Sequence, residues 1–258
     1  MELPKPLRAF ELVEKPLAGA IARTDALLAR YRSVRDAGQI LPNAVEAMRV
    51  ELTYHSNALE GSTLTLRDTQ LVVEGREPNT GKSLREIYEA RNHDRALRRI
   101  ERGAFGTPIT QQELLDIHAE VLADIDAAGA GRFRSDRVLI TGTRFVPPGS
   151  HRFGELIPAL LERADSANVH PVVQAAELHY NFVAIHPFSD GNGRAARLLL
   201  NAHLLRRGGA HVIVPVEERA RYLSTLEEVN AGQVQGFTLF ILECVQNSIL
   251  QLIGNDSD

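Results

Sequence analysis

The chain has 258 residues, 44% of them hydrophobic, a formal net charge of −4 and one cysteine. That length suits one large domain or two small ones with a substantial core. Mixed charge without a basic tail excludes an electrostatic nucleic-acid surface, and a lone Cys244 excludes an intrachain disulfide.

Residues Met1 to Pro6 carry no signal-peptide pattern, and no apolar run reaches membrane-spanning length. The default expectation is a cytoplasmic protein with neither nucleic acid nor membrane as a partner. Residues 16–37 place Leu17, Ile21, Leu28 and Tyr31 near helical spacing, and Gly38 follows as a stop. Pro42 suits the first position of a second helix, and Gly61 the left-handed position past its end. Glu60 then falls in the last turn, where the helix dipole disfavours an anion and a nearby cation would remove the conflict. Residues 62–82, with Thr-rich and Gly/Pro-rich pieces, read as a connector.

Ser83-Leu84-Arg85-Glu86 and Thr110-Gln111-Gln112-Glu113 are capping boxes that open two helices, the first ending near Gly103. Val138 to Pro148 holds two short extended runs around Thr141-Gly142-Thr143, closed by Pro147 and Pro148. That pattern predicts a small β-hairpin, whose free edge could pair with an extended segment of another protein. Pro171 suits the start of a helix over the apolar run to Ile185, and Thr238 to Ile253 reads as a buried terminal helix containing Cys244. The fold class is all-α, with the hairpin as the exception.

Between two apolar helices lies His186-Pro187-Phe188-Ser189-Asp190-Gly191-Asn192-Gly193-Arg194-Ala195-Ala196-Arg197. Pro187 ends the first helix, and Gly191 and Gly193 let the loop backbone approach a ligand. The second helix starts near Asn192, where its free N–H groups and dipole make an anion site. Arg194 and Arg197 project from one face of its first turn; cations there are unfavourable unless a polyphosphate binds. Asp190 is a hard oxygen ligand suited to Mg²⁺ held with phosphates. His186 can take a proton from a hydroxyl near neutral pH. The set fits transfer at phosphorus. No His-x-x-x-His spacing with a carboxylate partner and no Gly-x-x-x-x-Gly-Lys-Ser/Thr loop occurs, which argues against a zinc enzyme or a P-loop nucleotidase.

The stretch resembles the signature of the Fic family, His-Pro-Phe-x-(Asp/Glu)-Gly-Asn-Gly-Arg-x-x-Arg, at every fixed position. The resemblance implies a Fic-type helical bundle that transfers AMP from ATP to a Ser, Thr or Tyr hydroxyl of a target protein. It implies His186 as general base, Asp190 as Mg²⁺ ligand, and Gly191, Asn192 and Gly193 as the anion hole. Arg194 and Arg197 take the roles of β- and γ-phosphate ligands. The Doc branch, which phosphorylates, has Lys where this chain has Gly193. Ser56-Asn57-Ala58-Leu59-Glu60-Gly61 resembles the family's inhibitory motif (Ser/Thr)-x-x-x-Glu-(Gly/Asn), whose Glu pairs with the second arginine, here Arg197. Its position upstream of the catalytic stretch implies class II. Gly131-Arg132-Phe133-Arg134 also resembles the family, as does a flap over the site around Ile140, Thr141 and Gly142. Tyr222 and Asn230 fall where the family places adenine contacts.

The expected layout is an N-terminal region over 1–104 carrying the inhibitory helix, a catalytic domain over 105–244, and a tail over 245–258. ATP and Mg²⁺ are the expected substrate and metal. The expected partner is a target protein with a hydroxyl side chain, and self-modification and a homodimer stay open. Three other readings also stay open. The site could remove AMP, with Glu60 orienting a water. It could transfer another phosphate-linked group, such as UMP or phosphocholine. Or the chain could be a nucleotide-sensing binding module.

Overall fold

The apolar run that leads into the loop forms the centre of the molecule. In the computed structural model, which describes residues 4–10, 15–78, 81–103, 108–140, 142–165 and 169–254, ten α-helices are present. They are α1 Lys15–Asp36, α2 Pro42–Ala58, α3 Leu66–Val73, α4 Leu84–Glu101 and α5 Gln111–Val121, then α6 Phe153–Ala164, α7 Pro171–Ile185, α8 Asn192–Arg206, α9 Arg219–Asn230 and α10 Gln235–Ile253. Residues 172–182 of α7 are all buried. A helix that is apolar all round must be enclosed by others. One side of α7, through Leu178, Phe182 and Ile185, packs with α5, α6 and α8. The other side, through Val172, Val173, Ala176 and Tyr180, joins the core made with α1, α9 and α10. Helices α7 and α8 share the most extensive contact in the bundle, so the loop between them hangs from two rigid, buried supports.

The N-terminal helices close the other side of the loop. Helix α4 packs on α2, α5 and α8, with both expected capping boxes formed, Ser83 with Glu86 and Thr110 with Glu113. Helix α1 packs along α10. Residues before it dock on α7: Arg8 N–H donates to Asn181 Oδ1 at 2.8 Å, and Phe10 N–H to Glu177 Oε2 at 2.9 Å.

Four local expectations change. The 62–82 stretch is not only a connector: α3 lies within it, opened by a Thr65–Asp68 capping box and packed on α2 and α4. Three residues of spacing between a Thr and an Asp carry that signal, and the surrounding Thr, Gly and Pro hide it. Glu60 lies just beyond the end of α2 rather than in its last turn. No β-hairpin is formed among the described residues: 137–140 and 142–148 hold no strand, and Thr141 lies outside the described residues. Pro147 and Pro148 cannot donate to a ladder, and the ends of the segment are closed by Arg134, whose Nη1 and Nη2 donate to the Asp136 and Pro148 carbonyls. Last, α10 is long and apolar enough to cross a membrane by length and composition. In the fold its apolar face packs against α1, α7 and α9.

Candidate functional site

His186 caps α7 in the left-handed conformation, φ 50°, and its N–H still closes on Phe182 O at 3.0 Å. That turn throws the chain out of the bundle and aims the imidazole into the pocket. Nδ1 lies 3.3 Å from the Val183 carbonyl. A carbonyl only accepts, so Nδ1 carries the proton and Nε2 keeps a lone pair. Burial pushes the imidazole below the ordinary histidine range, and the Arg134 cation adds to this; the Val183 carbonyl, Glu60 and Asp190 oppose it. The ring is therefore neutral near pH 7, the state a base requires.

The loop is pinned from within and from outside. Asn192 holds Phe188 at both ends, accepting from its N–H at 3.0 Å and donating to its carbonyl at 2.8 Å. The Asn192 side chain is thus committed to loop shape, which leaves its main-chain N–H as the group it can offer an anion at the helix start. His118 stacks on Phe188, ring centroids 3.5 Å apart and planes at 3°. Gly131 N–H donates to its Nδ1 at 3.1 Å, so Nε2–H donates to the Asp190 carbonyl at 2.9 Å. Burial holds His118 down to about 4, so this tautomer persists at neutral pH.

Gly191 is the left-handed N-cap of α8, φ 74°, and no side chain caps the helix. The first helical N–H groups therefore lack intrahelical partners, and Gly193 among these residues lines the pocket. At Gly193 a Cβ would overlap Glu60 Oε1. So the Glu60 carboxylate already lies against the start of α8, where an anion is favoured.

Three charged pairs link this helix start to the N-terminal helices. Arg197, 3% exposed, donates to Glu60 Oε1 at 2.7 Å, Ser56 Oγ at 2.9 Å and the Ser56 carbonyl at 2.7 Å. Arg194 lies 3.0 Å from Glu89 of α4 and 3.3 Å from Asp190. Arg85, also of α4, sits on the other Asp190 oxygen. Burial works against the Glu60 carboxylate, but Arg197, then Arg194, outweigh it and hold its pKa below the usual value. Asp190 is likewise lowered: burial opposes, while Arg194, the Gly191 N–H and Arg85 prevail.

Glu60, His186, Gly193 and Arg197 line a pocket of about 580 Å³. Tyr180, Ala184, Leu223, Leu226 and Asn230 also line it, as do Ile140, Gly142 and Phe145. That volume, with charged and apolar groups both in the lining, suits a nucleotide. Asn230 is tied to Tyr180 Oη at 2.8 Å. The Tyr222 ring packs against Phe237 and Phe240, and its hydroxyl lies 2.8 Å from His179 Nε2. Buried Tyr222 and exposed Leu223 both line the cavity. Sequence reasoning missed Leu223, Arg85, Glu89 and His118. None sits in a motif that points to ligand chemistry (Arg85 lies inside a capping box), and only the α4–α8 and α5–α8 contacts bring the last three to the loop.

For a metal, Asp190 offers one carboxylate, and no cluster of three His, Cys, Asp or Glu groups occurs among the described residues. Mg²⁺ commonly takes one or two carboxylates and completes its shell with phosphates and water. The donor set fits a cation that arrives with a polyphosphate, provided Arg85 yields its place on Asp190.

The Fic/DOC family model matches residues 108–204. The chain belongs to this family. It is 35% identical over 255 residues to "Protein adenylyltransferase Fic" of Drosophila willistoni, covering 97% of this chain and 51% of that protein. The chain spans about half the length of the curated relatives it matches. Among solved structures, Fic-1 (residues 134–508) from C. elegans is 32% identical, with a TM-score of 0.77, covering 93% of this chain and 74% of that one. A Fic family protein from Desulfovibrio desulfuricans G20 shares the fold with a TM-score of 0.84 at 24% identity, covering 97% and 78%.

Proposed function

We propose that this chain is a protein adenylyltransferase, moving AMP from ATP to a Ser, Thr or Tyr hydroxyl, and that Glu60 holds it at rest. The observation that carries the reading is the Glu60 carboxylate lying on Gly193 and paired with Arg197 at 2.7 Å, in the pocket that holds His186. A carboxylate seated there marks an anion subsite and shares its guanidinium with any terminal phosphate. The curated relatives named as adenylyltransferases support the reaction class.

The residues divide the work as follows. The α8 amides receive the α- and β-phosphates, Arg194 and Arg197 the β- and γ-phosphates, and the apolar lining residues the base and ribose. Nε2 of His186 takes the proton of the incoming hydroxyl, whose oxygen attacks the α-phosphorus. The P–O bond to the β-phosphate breaks and pyrophosphate leaves against Arg194. Asp190 would hold Mg²⁺, which neutralises charge on the departing phosphates. The segment around Ile140 and Gly142 borders the pocket, where an extended piece of the target can lie alongside its backbone.

Label position is the test. With the Glu60→Gly protein, label in the α-phosphate should enter protein and label in the γ-phosphate should not. Transfer of γ-label would make it a kinase, and binding of ATP with no transfer of either label would leave a nucleotide sensor.

A further inference from the structure

Arg134, between α5 and α6, is 4% exposed. No carboxylate lies within ion-pair distance of it among the described residues. Its guanidinium turns instead to main-chain carbonyls. Nε donates to His186 O at 2.7 Å, Nη1 to Asp136 O at 2.6 Å, and Nη2 to Pro148 O at 2.7 Å and, longer, to Ile185 O at 3.5 Å. Its own N–H donates to Pro187 O at 3.0 Å. The guanidinium carbon also stands 5.0 Å from the centre of the Phe153 ring.

A buried cation without an anion is costly unless its donors are satisfied. Here the terminal carbonyls of α7, at the negative end of its dipole, offset the charge. The acceptors fall at two kinds of place. His186 and Ile185 belong to the end of α7 that carries the imidazole. Asp136 and Pro148 flank the segment whose Ile140, Gly142 and Phe145 line the pocket. Arginine's planar fork can reach both at once; lysine's single ammonium cannot reproduce that geometry.

We propose that Arg134 is a positioning residue that fixes His186 and holds Asp136 and Pro148, the flanks of the pocket-lining segment, in register with it. The base and the incoming hydroxyl then share one rigid frame, while the nucleotide is held separately by the start of α8. Among the described residues no hydrogen bond joins Arg134 to Gly193, Arg194 or Arg197. Its loss therefore strikes the transfer step and spares nucleotide affinity. The inference rests on the reading of His186 as the base.

The test uses the full chain carrying Glu60→Gly, with Arg134→Gln and Arg134→Lys added singly. Self-labelling at saturating α-labelled ATP gives the rate, and calorimetry gives the affinity for MgATP. Arg134→Gln should slow labelling about 10²-fold, as a misplaced base does, with affinity changed by less than about threefold. Arg134→Lys, which keeps one charged donor for the His186 carbonyl, should recover about tenfold of that loss. Equal falls in rate and affinity would mark Arg134 as merely structural and overturn the proposal, as would an unchanged rate. If Arg134→Gln does not fold, the lysine variant alone must still show the split. If the Glu60→Gly protein labels nothing, the functional reading has failed, and a second measurement carries the test. The rate at which diethylpyrocarbonate modifies His186, read by mass spectrometry, should then rise severalfold in Arg134→Lys relative to Glu60→Gly alone. An unchanged rate would overturn the proposal.

Discussion

At the scale of single residues, proton transfer and nucleotide binding rest on different atoms in the proposed function. His186→Ala should lower AMP transfer by about 10²–10⁴-fold while ATP binding by calorimetry stays near that of the parent. Near-parental labelling would remove His186 as base. Burial depresses the imidazole, so the neutral form survives below the ordinary histidine range. The acid-side midpoint of the transfer rate should therefore fall below 6.5, the unperturbed histidine value. A rate that already halves near pH 7 would contradict that environment. Asp190→Ala, and EDTA on the parent, should each suppress transfer, because charge on the leaving pyrophosphate then loses its cation. Undiminished transfer in EDTA would rule out a metal-assisted step.

At the scale of elements, the end of α2 sets where Glu60 stands. Gly61 N–H returns to the Ala58 carbonyl at 3.0 Å and Ser62 N–H to the Asn57 carbonyl at 3.1 Å, paired bonds that turn the chain sharply past the helix. Gly61 adopts φ 96°, which a side chain resists at a cost of about 1–2 kcal/mol. Gly61→Val should therefore loosen the turn, lower the melting temperature by a few degrees and raise basal labelling as Glu60 leaves Arg197. A destabilised protein with unchanged labelling would mean that the turn does not govern Glu60.

The elements also show what was legible in the chain. The start of α2, the boxes opening α4 and α5, and the α7–loop–α8 unit could be read because each is written in consecutive residues. The capping box of α3 was written there too, as Thr65 and Asp68, but went unread amid residues typical of loops. The hairpin was expected from strand-like composition, which says nothing of what satisfies the backbone; here the side chain of Arg134, just before the segment, bonds the carbonyls at its two ends. Arg85, Glu89 and His118 were illegible for a related reason. Their importance comes from α4 and α5 lying on α8, a tertiary fact that no local pattern carries.

At the scale of the molecule, the site and the core are continuous. His93, His179 and His203 are buried and held down to about 3, chiefly by burial, with Arg197 adding to the effect at His93 and His179. The unfolded chain takes up protons below pH 6.5 that the folded one refuses until about pH 3. Stability is therefore full above 6.5 and is lost as pH falls between those values. At pH 5 each of the three should cost on the order of 2 kcal/mol. Urea unfolding at pH 7 and pH 5 should show a clearly lower midpoint at pH 5. Coincident midpoints would mean these histidines are protonated in the fold or relax to solvent.

The turn after α2 and helix α4 occupy the charged groups of the His186–Arg197 stretch: Glu60 on Arg197, Glu89 on Arg194 and Arg85 on Asp190. The central claim is that the first of these pairs keeps the enzyme at rest. The direct test is self-labelling with α-labelled ATP by the parent, Glu60→Gly, and Glu60→Gly with Arg197→Ala. The parent should label weakly and Glu60→Gly strongly. The double variant should lose the gain, because the guanidinium that Glu60 released is then missing. Equal labelling by the parent and Glu60→Gly would contradict the account.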